Sequence, residues 1–218
     1  DKHNIEYHFQ IAENRMYHSK LHDSKIAHNL LIENMTITLR DFGIETKEHI
    51  ERVKDLSLLI VEHLDLDDSE IEKLKEFINY HDVGKIATAF DIVKCKNSNE
   101  EITLDKKIKH SEIGYQIAKS SSELINISYL ILTHHESWDG TGYPLGLSGR
   151  GIPYLSRIFR VAHDFDTLLY GGYTYEPHTI DEVVEFFVNN SGKVYDPDFT
   201  KILVERIIPD KFSQKDFS

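Results

Sequence analysis

The chain of 218 residues carries a formal net charge of −12 and is 40% hydrophobic, which suits one large domain with a substantial buried core. That charge argues against sequence-independent binding to a nucleic-acid polymer, and no apolar run approaches the roughly 18 residues of a membrane span. Cys95 is the only cysteine, so no intrachain disulfide forms; with no signal-peptide pattern at the start, the expected compartment is the reducing cytoplasm.

The hydrophobic pattern predicts an all-α fold. Residues 1–35 are polar and hold His3, His8, His18, His22 and His28. His18 and His22 share a helix face, which suits either a metal or a solvated surface, because no third ligand is evident. This stretch reads as an N-terminal helical extension or linker, the end of a signalling or dimerisation helix joined to a catalytic body over 36–218. Apolar spacing predicts a helix over 26–40. Thr46 is the expected N-cap of the next, whose Ile50, Val53, Ser57, Ile60, Val61 and Leu64 recur at three- and four-residue steps. Ser69 with Glu72 forms a capping-box signature for the helix ending near Val83, and Gly84 marks a break. The polar stretch 94–101 is predicted as a surface loop. Further helices are expected over 105–120, 123–135, 155–170, 180–190 and 198–207, the last two as packing elements.

Thirteen histidines are many for this length, and six of them fall in five clusters that end or interrupt apolar helical runs. Glu45 and His49 are four apart, one helical turn. His81, Asp82 and Lys85 follow one apolar run, His110 lies near another, and His134 with His135 ends a third. His163, Asp164 and Asp166 interrupt a fourth. Burying so many ionisable groups without charge partners is expensive, and imidazole with carboxylate suits iron, manganese, zinc or nickel. On a helix, adjacent His134 and His135 would point about 100° apart and could serve different ions. Five of the thirteen residues in 139–151 are glycine, which predicts tight turns with amides open to phosphate. Trp138 either packs beneath this loop or stacks on a ligand.

The order Glu-x3-His, His-Asp-x-Gly-Lys, His-x3-Gly, His-His-Glu and Asp-Gly-Thr-Gly-Tyr-Pro resembles the HD-GYP domain, a branch of the HD phosphohydrolase superfamily, over roughly residues 36–207. The stretch HHESWDGTGYPLGLSGRGIP is its most specific part. The resemblance implies an HD-domain helical bundle with a glycine-rich Gly-Tyr-Pro loop and a centre of two or three divalent metal ions, often iron or manganese. It also implies hydrolysis of cyclic di-GMP to linear pGpG and onward to GMP. Carried over by position, the metal ligands would be Glu45, His49, His81, Asp82, His110, His134, His135 and His163, with Asp82 bridging. Glu45 and His49 match members that hold a third ion. Substrate contacts would come from Gly142, Tyr143, Pro144, Arg150 and Tyr175, and signalling partners would meet the same loop.

The expected catalysis follows from the ions. A water bridging two of them is acidified and held in line with phosphorus. Asp82 and Lys85 are the expected catalytic side chains, Lys85 stabilising charge or donating to the leaving oxygen; a solvated lysine near a helix end is the plain alternative.

Two departures matter. His163 stands where the family usually has a metal-binding aspartate, with Asp164 next to it but rotated away. Leu145, Gly172 and Tyr175 stand where members often carry arginines or other basic residues that reach the dinucleotide phosphates. Arg150, Arg157 and Arg160 are the cations left to compensate. Two further readings therefore remain: the same chemistry on another cyclic dinucleotide or phosphoester, and a metal-bearing regulatory module that binds a nucleotide without turnover.

Overall fold

The computed structural model describes residues 25–89, 92, 104–172 and 176–212. The predicted loop over 94–101, His3, His8, His18, His22 and Tyr175 lie outside them. The described residues are helical, with short 3-10 turns, isolated bridges and no strands. No described helix is long and apolar enough to cross a membrane.

Helix α1 occupies 25–41, unbroken at residue 35, and sends Ile32 into the core. Helix α2, Lys47–Val61, starts at the predicted cap: the Thr46 hydroxyl accepts from His49 N at 3.2 Å. Helix α3, Asp68–Tyr80, begins two residues before its predicted box. Asp67 is its N-cap, and Asp67 with Glu70 forms the reciprocal pair assigned above to Ser69 and Glu72. Both pairs satisfy the same spacing, and the earlier one adds half a turn of backbone hydrogen bonds before the apolar stripe Leu74, Phe77, Ile78. A 3-10 turn, Val83–Ala87, follows.

Helix α4 is Leu104–Ser120. The segment predicted as one helix over 123–135 is a 3-10 turn, Leu124–Ile127, joined to a short α5, Ser128–Thr133. Helix α6, Tyr154–Tyr170, is the central strut and buries Ile158, Phe159, Ala162, Phe165 and Leu169. Helix α7, Ile180–Asn190, carries a Thr179–Glu182 capping box. Helix α8, Pro197–Ile202, passes through a π-turn, Leu203–Ile207, into α9, Ile208–Lys211.

Helices α2 and α3 pack on α6, and α4 packs on α5 and on the first 3-10 turn. Phe77 and Phe159, their rings 4.7 Å apart, anchor the core where these elements cross. Burial of each ring stabilises by about 1.5–3 kcal/mol, and both lie directly beneath the histidines.

Candidate metal centre and its loop

The predicted ligands converge. His81 caps the C-terminus of α3, and its Nδ1 donates to Ile78 O at 2.8 Å, which turns Nε2 inward. That Nε2 is fully buried and makes no hydrogen bond, although Asp82 Oδ2 lies 3.2 Å away and Glu45 Oε2 3.6 Å away. Asp82 faces two ways: Oδ2 meets His81 and the Lys85 ammonium, while Oδ1 lies 3.5 Å from His110 Nε2. Glu45 Oε1 is 3.8 Å from His49 Nε2.

Two glycines set this arrangement. A Cβ on Gly84 would lie 1.8 Å from His110 O and 2.5 Å from Gly114 N, and one on Gly114 would meet Ile131 Cγ2 at 2.8 Å. Backbone contact between the 3-10 turn and α4 therefore carries His110 to Asp82.

His134 Nδ1 donates to Ile131 O at 2.6 Å. The chain leaves helical geometry just after it, so His134 and His135 do not diverge as predicted. Their Nε2 atoms lie 3.3 and 3.1 Å from His110 Nε2, forming one cluster. A second cluster joins His49, His81 and His163, and a third joins Glu45, His81 and Asp82, with His81 common to both. Phe159 floors the site, 4.7 Å from the His81 ring and 5.1 Å from that of His163.

Burial foremost, with neighbouring histidines, pushes His134 and His135 far below the usual imidazole range and His163 down to about 4. These rings are therefore neutral at neutral pH, with their lone pairs crowded together. Burial raises the Glu45 carboxyl. Burial would raise Asp82 as well, but Lys85 and His81 outweigh it and hold the carboxyl well below its usual range. An orphaned buried nitrogen, facing lone pairs and a carboxylate between two imidazole groups form a donor set that divalent cations of the imidazole-preferring kind satisfy. The residues fit such ions.

Sequence reasoning passed over the residues that aim these ligands. Asp166 was noted without a role: its Oδ2 accepts from His49 Nδ1 at 2.6 Å, and Arg52 grips both its oxygens at 2.5 and 3.0 Å. The available signal was a carboxylate on the apolar face of α6, between buried Ala162 and Leu169, which needs a charge partner. Of the three arginines considered as phosphate contacts, Arg157 and Arg160 are engaged by internal groups. Arg157 is held by Asp196 at 2.5 Å and Ile152 O at 3.0 Å, and Arg160 by Asp164 at 2.6 Å. Arg150 remains exposed.

Glu136, within the His-His-Glu motif, has a role that spacing alone does not reveal. Its buried carboxylate accepts from Leu145 N at 2.7 Å and Leu147 N at 3.0 Å, pinning the Gly-Tyr-Pro loop beside the histidines. Thr141 N bonds Asp139, Tyr143 N bonds His135 O, and Gly149 N bonds Trp138 O. These amides are satisfied within the protein and hold the loop compact. A Cβ on Gly142 would strike Ser137 N at 2.2 Å. Tyr143 lies over His135, ring centroids 4.9 Å apart, and Pro144 follows through a cis peptide bond. Trp138 is half-buried, its backbone tied to Val194 O at 3.0 Å and its ring centre 5.7 Å from the Arg157 guanidinium carbon.

A profile of the HD domain matches residues 33–199. The chain is 34% identical over 163 residues to a cyclic di-GMP phosphodiesterase response regulator of Xanthomonas campestris, covering 74% of this chain and 43% of that protein. It is 32% identical over 192 residues to a cyclic di-GMP phosphodiesterase of Thermotoga maritima, covering 85% and 51%. A 3'3'-cGAMP-specific phosphodiesterase of Vibrio cholerae is 30% identical over 177 residues, covering 80% and 34%. The chain thus spans about half or less of the length of these relatives. The solved structure of a cyclic GMP-AMP specific phosphodiesterase of Vibrio cholerae shares the fold, with a TM-score of 0.58 at 21% identity over 84% of this chain and 49% of that one. A His81–Asp82 pair at the meeting of helices α3 and α4, in a chain matched by the HD profile from α1 to α8 and closed by a Gly142–Tyr143–Pro144 loop, makes this protein a member of the HD domain family, of the HD-GYP type.

Proposed function

We propose that the chain is a metal-dependent phosphodiesterase that hydrolyses cyclic di-GMP to linear pGpG, and further to GMP. The observation that carries this reading is the set of six imidazoles and two carboxylates in three neighbouring groups, with Asp82 between His81 and His110 and the His81 Nε2 buried and unbonded. Glu45, His49, His81, Asp82, His110, His134, His135 and His163 would hold two or three divalent ions, iron or manganese. Such ions supply Lewis acidity that polarises a phosphodiester and acidifies water.

The chain's own groups do the rest. Lys85 sits at the rim with its ammonium on Asp82, a quarter exposed, where it can offset charge building on the phosphoryl oxygens or protonate the leaving oxygen. Attack by a water oxygen on phosphorus breaks the bond to the 3' oxygen, which takes up a proton and leaves a 5' phosphate. Tyr143, whose ring lies over His135, and Arg150, an exposed cation on the loop, are the side chains assigned to a base or phosphate. Gly142 and Pro144 shape that wall, and Tyr175 is assigned to substrate on the resemblance alone.

The same reading places the reaction in the cytoplasm, with 36–218 as the catalytic body and 1–35 as an extension. The exposed Ile26, Leu30 and Ile37 on α1 support a homodimer through that helix, and exposed Leu145 supports partner contacts at the loop. A second reading, cyclic GMP-AMP as substrate, is favoured by the 3'3'-cGAMP-specific relatives and by the commitment of Arg157 and Arg160 to internal carboxylates.

The test is product chromatography from a cyclic dinucleotide panel, using protein purified without oxygen and analysed for metal. Cyclic di-GMP turnover that disappears in His81→Ala and Asp82→Asn supports the proposal. Turnover of cyclic GMP-AMP alone supports the second reading, and stoichiometric metal with no product from any substrate refutes both.

A further inference from the structure

His163 stands where a carboxylate ligand is usual, and the structure supplies that carboxylate one bond further out. Asp164 follows His163 on α6, and its Oδ1 is 3.0 Å from His163 Nδ1. Its Oδ2 accepts from Arg160 Nε at 2.6 Å and from the Tyr195 hydroxyl at 3.0 Å. An ionised carboxylate only accepts hydrogen bonds, so Nδ1 carries the imidazole proton and Nε2 keeps the lone pair. The opposite wall repeats the device: His49 Nδ1 meets Asp166, which Arg52 holds. The His49 and His163 rings lie edge to face with centroids 5.1 Å apart, and His81 is 5.3 Å from His163. All three rings have Nδ1 engaged, two on carboxylates and His81 on Ile78 O.

Resting on the metal centre proposed above, we infer that Asp164 is a positioning residue that fixes His163 as a nitrogen ligand, completing a three-imidazole site with His49 and His81 that takes an imidazole-preferring ion such as zinc or ferrous iron over manganese. Imidazole ligands are commonly oriented by a carboxylate on their second nitrogen, and loss of such a partner weakens binding by about 10–100-fold. Arg160 and Tyr195 fix the carboxylate in turn. Tyr195 stacks on Phe187 with ring centroids 4.4 Å apart, so the aim of His163 is set by the core of the α7–α8 region. A carboxylate at 163 would give a site better suited to manganese.

The experiment measures zinc and manganese binding to the metal-stripped full chain by competition titration. Asp164→Asn is expected to weaken one zinc site by about 10–100-fold while leaving the remaining sites unchanged. Tyr195→Phe, which removes one bond to Asp164, is expected to weaken the same site by about fivefold. His163→Asp shifts that site toward manganese, and in its background Asp164→Asn changes zinc binding by no more than about twofold, because the residue acts through His163. Equal losses in both backgrounds, or none in either, overturn the inference. Wild-type protein that binds no zinc or manganese overturns the metal centre itself, a distinct failure from that of Asp164.

Discussion

Replacing Gly84 with alanine tests how the two halves of the site are joined. The added Cβ would sit 1.8 Å from His110 O, and ordinary contact begins near 3.4 Å, so the 3-10 turn and α4 must separate by about 1.6 Å. Neither neighbour can yield cheaply, since both obstructing groups are backbone and Gly114 already touches Ile131 on the far side. His110 Nε2 now lies 3.5 Å from Asp82 Oδ1; the same displacement would carry it out of shared coordination distance. Overpacking of this kind costs about 1–3 kcal/mol, or about 3–10 °C in Tm for a chain of this size. The misplacement should lower phosphodiesterase activity by about 100-fold or more. Calorimetry, metal content and turnover are measured on Gly84→Ala beside Gly151→Ala, whose added methyl meets nothing within 4 Å at an ordinary φ and should stay within about 0.5 kcal/mol. Wild-type Tm and metal content in Gly84→Ala would refute the claim that this backbone contact assembles the centre.

Glu136→Gln leaves one loop amide facing an amide nitrogen and should destabilise by about 1.5–3 kcal/mol; hydrogen exchange at Leu145 and Leu147 is expected to accelerate while metal content holds. Lys85→Met should lower kcat by about 100- to 1,000-fold with metal stoichiometry unchanged, as metal analysis and steady-state kinetics will show. Chelation should lower Tm, because ions bound only by the folded chain at 100 times their Kd stabilise it by about 2.7 kcal/mol; identical melting with and without chelator contradicts a metal centre. Arg150→Ala should raise KM for the dinucleotide more than it lowers kcat, since an exposed rim cation contributes to substrate capture.

The sequence by itself determined the all-helical fold and the residue types that gather at its centre. Imidazoles and carboxylates at the ends of apolar helices have no cheap place in a core except together, and Thr46 was legible as a cap because its bond to His49 N is local. Only the tertiary structure decided how those side chains are aimed. His49 takes its orientation from Asp166, 117 residues away, and Arg157 is spent on Asp196, 39 residues away, so neither role has a local signature. His134 and His135 share a cluster because the backbone departs from helical geometry just after His134, which adjacency could not reveal. The glycine-rich loop read as open to phosphate, yet Glu136 closes part of it from within; spacing records which groups are near in the chain, and hydrogen bonds are settled by which groups the packed core brings within 3 Å.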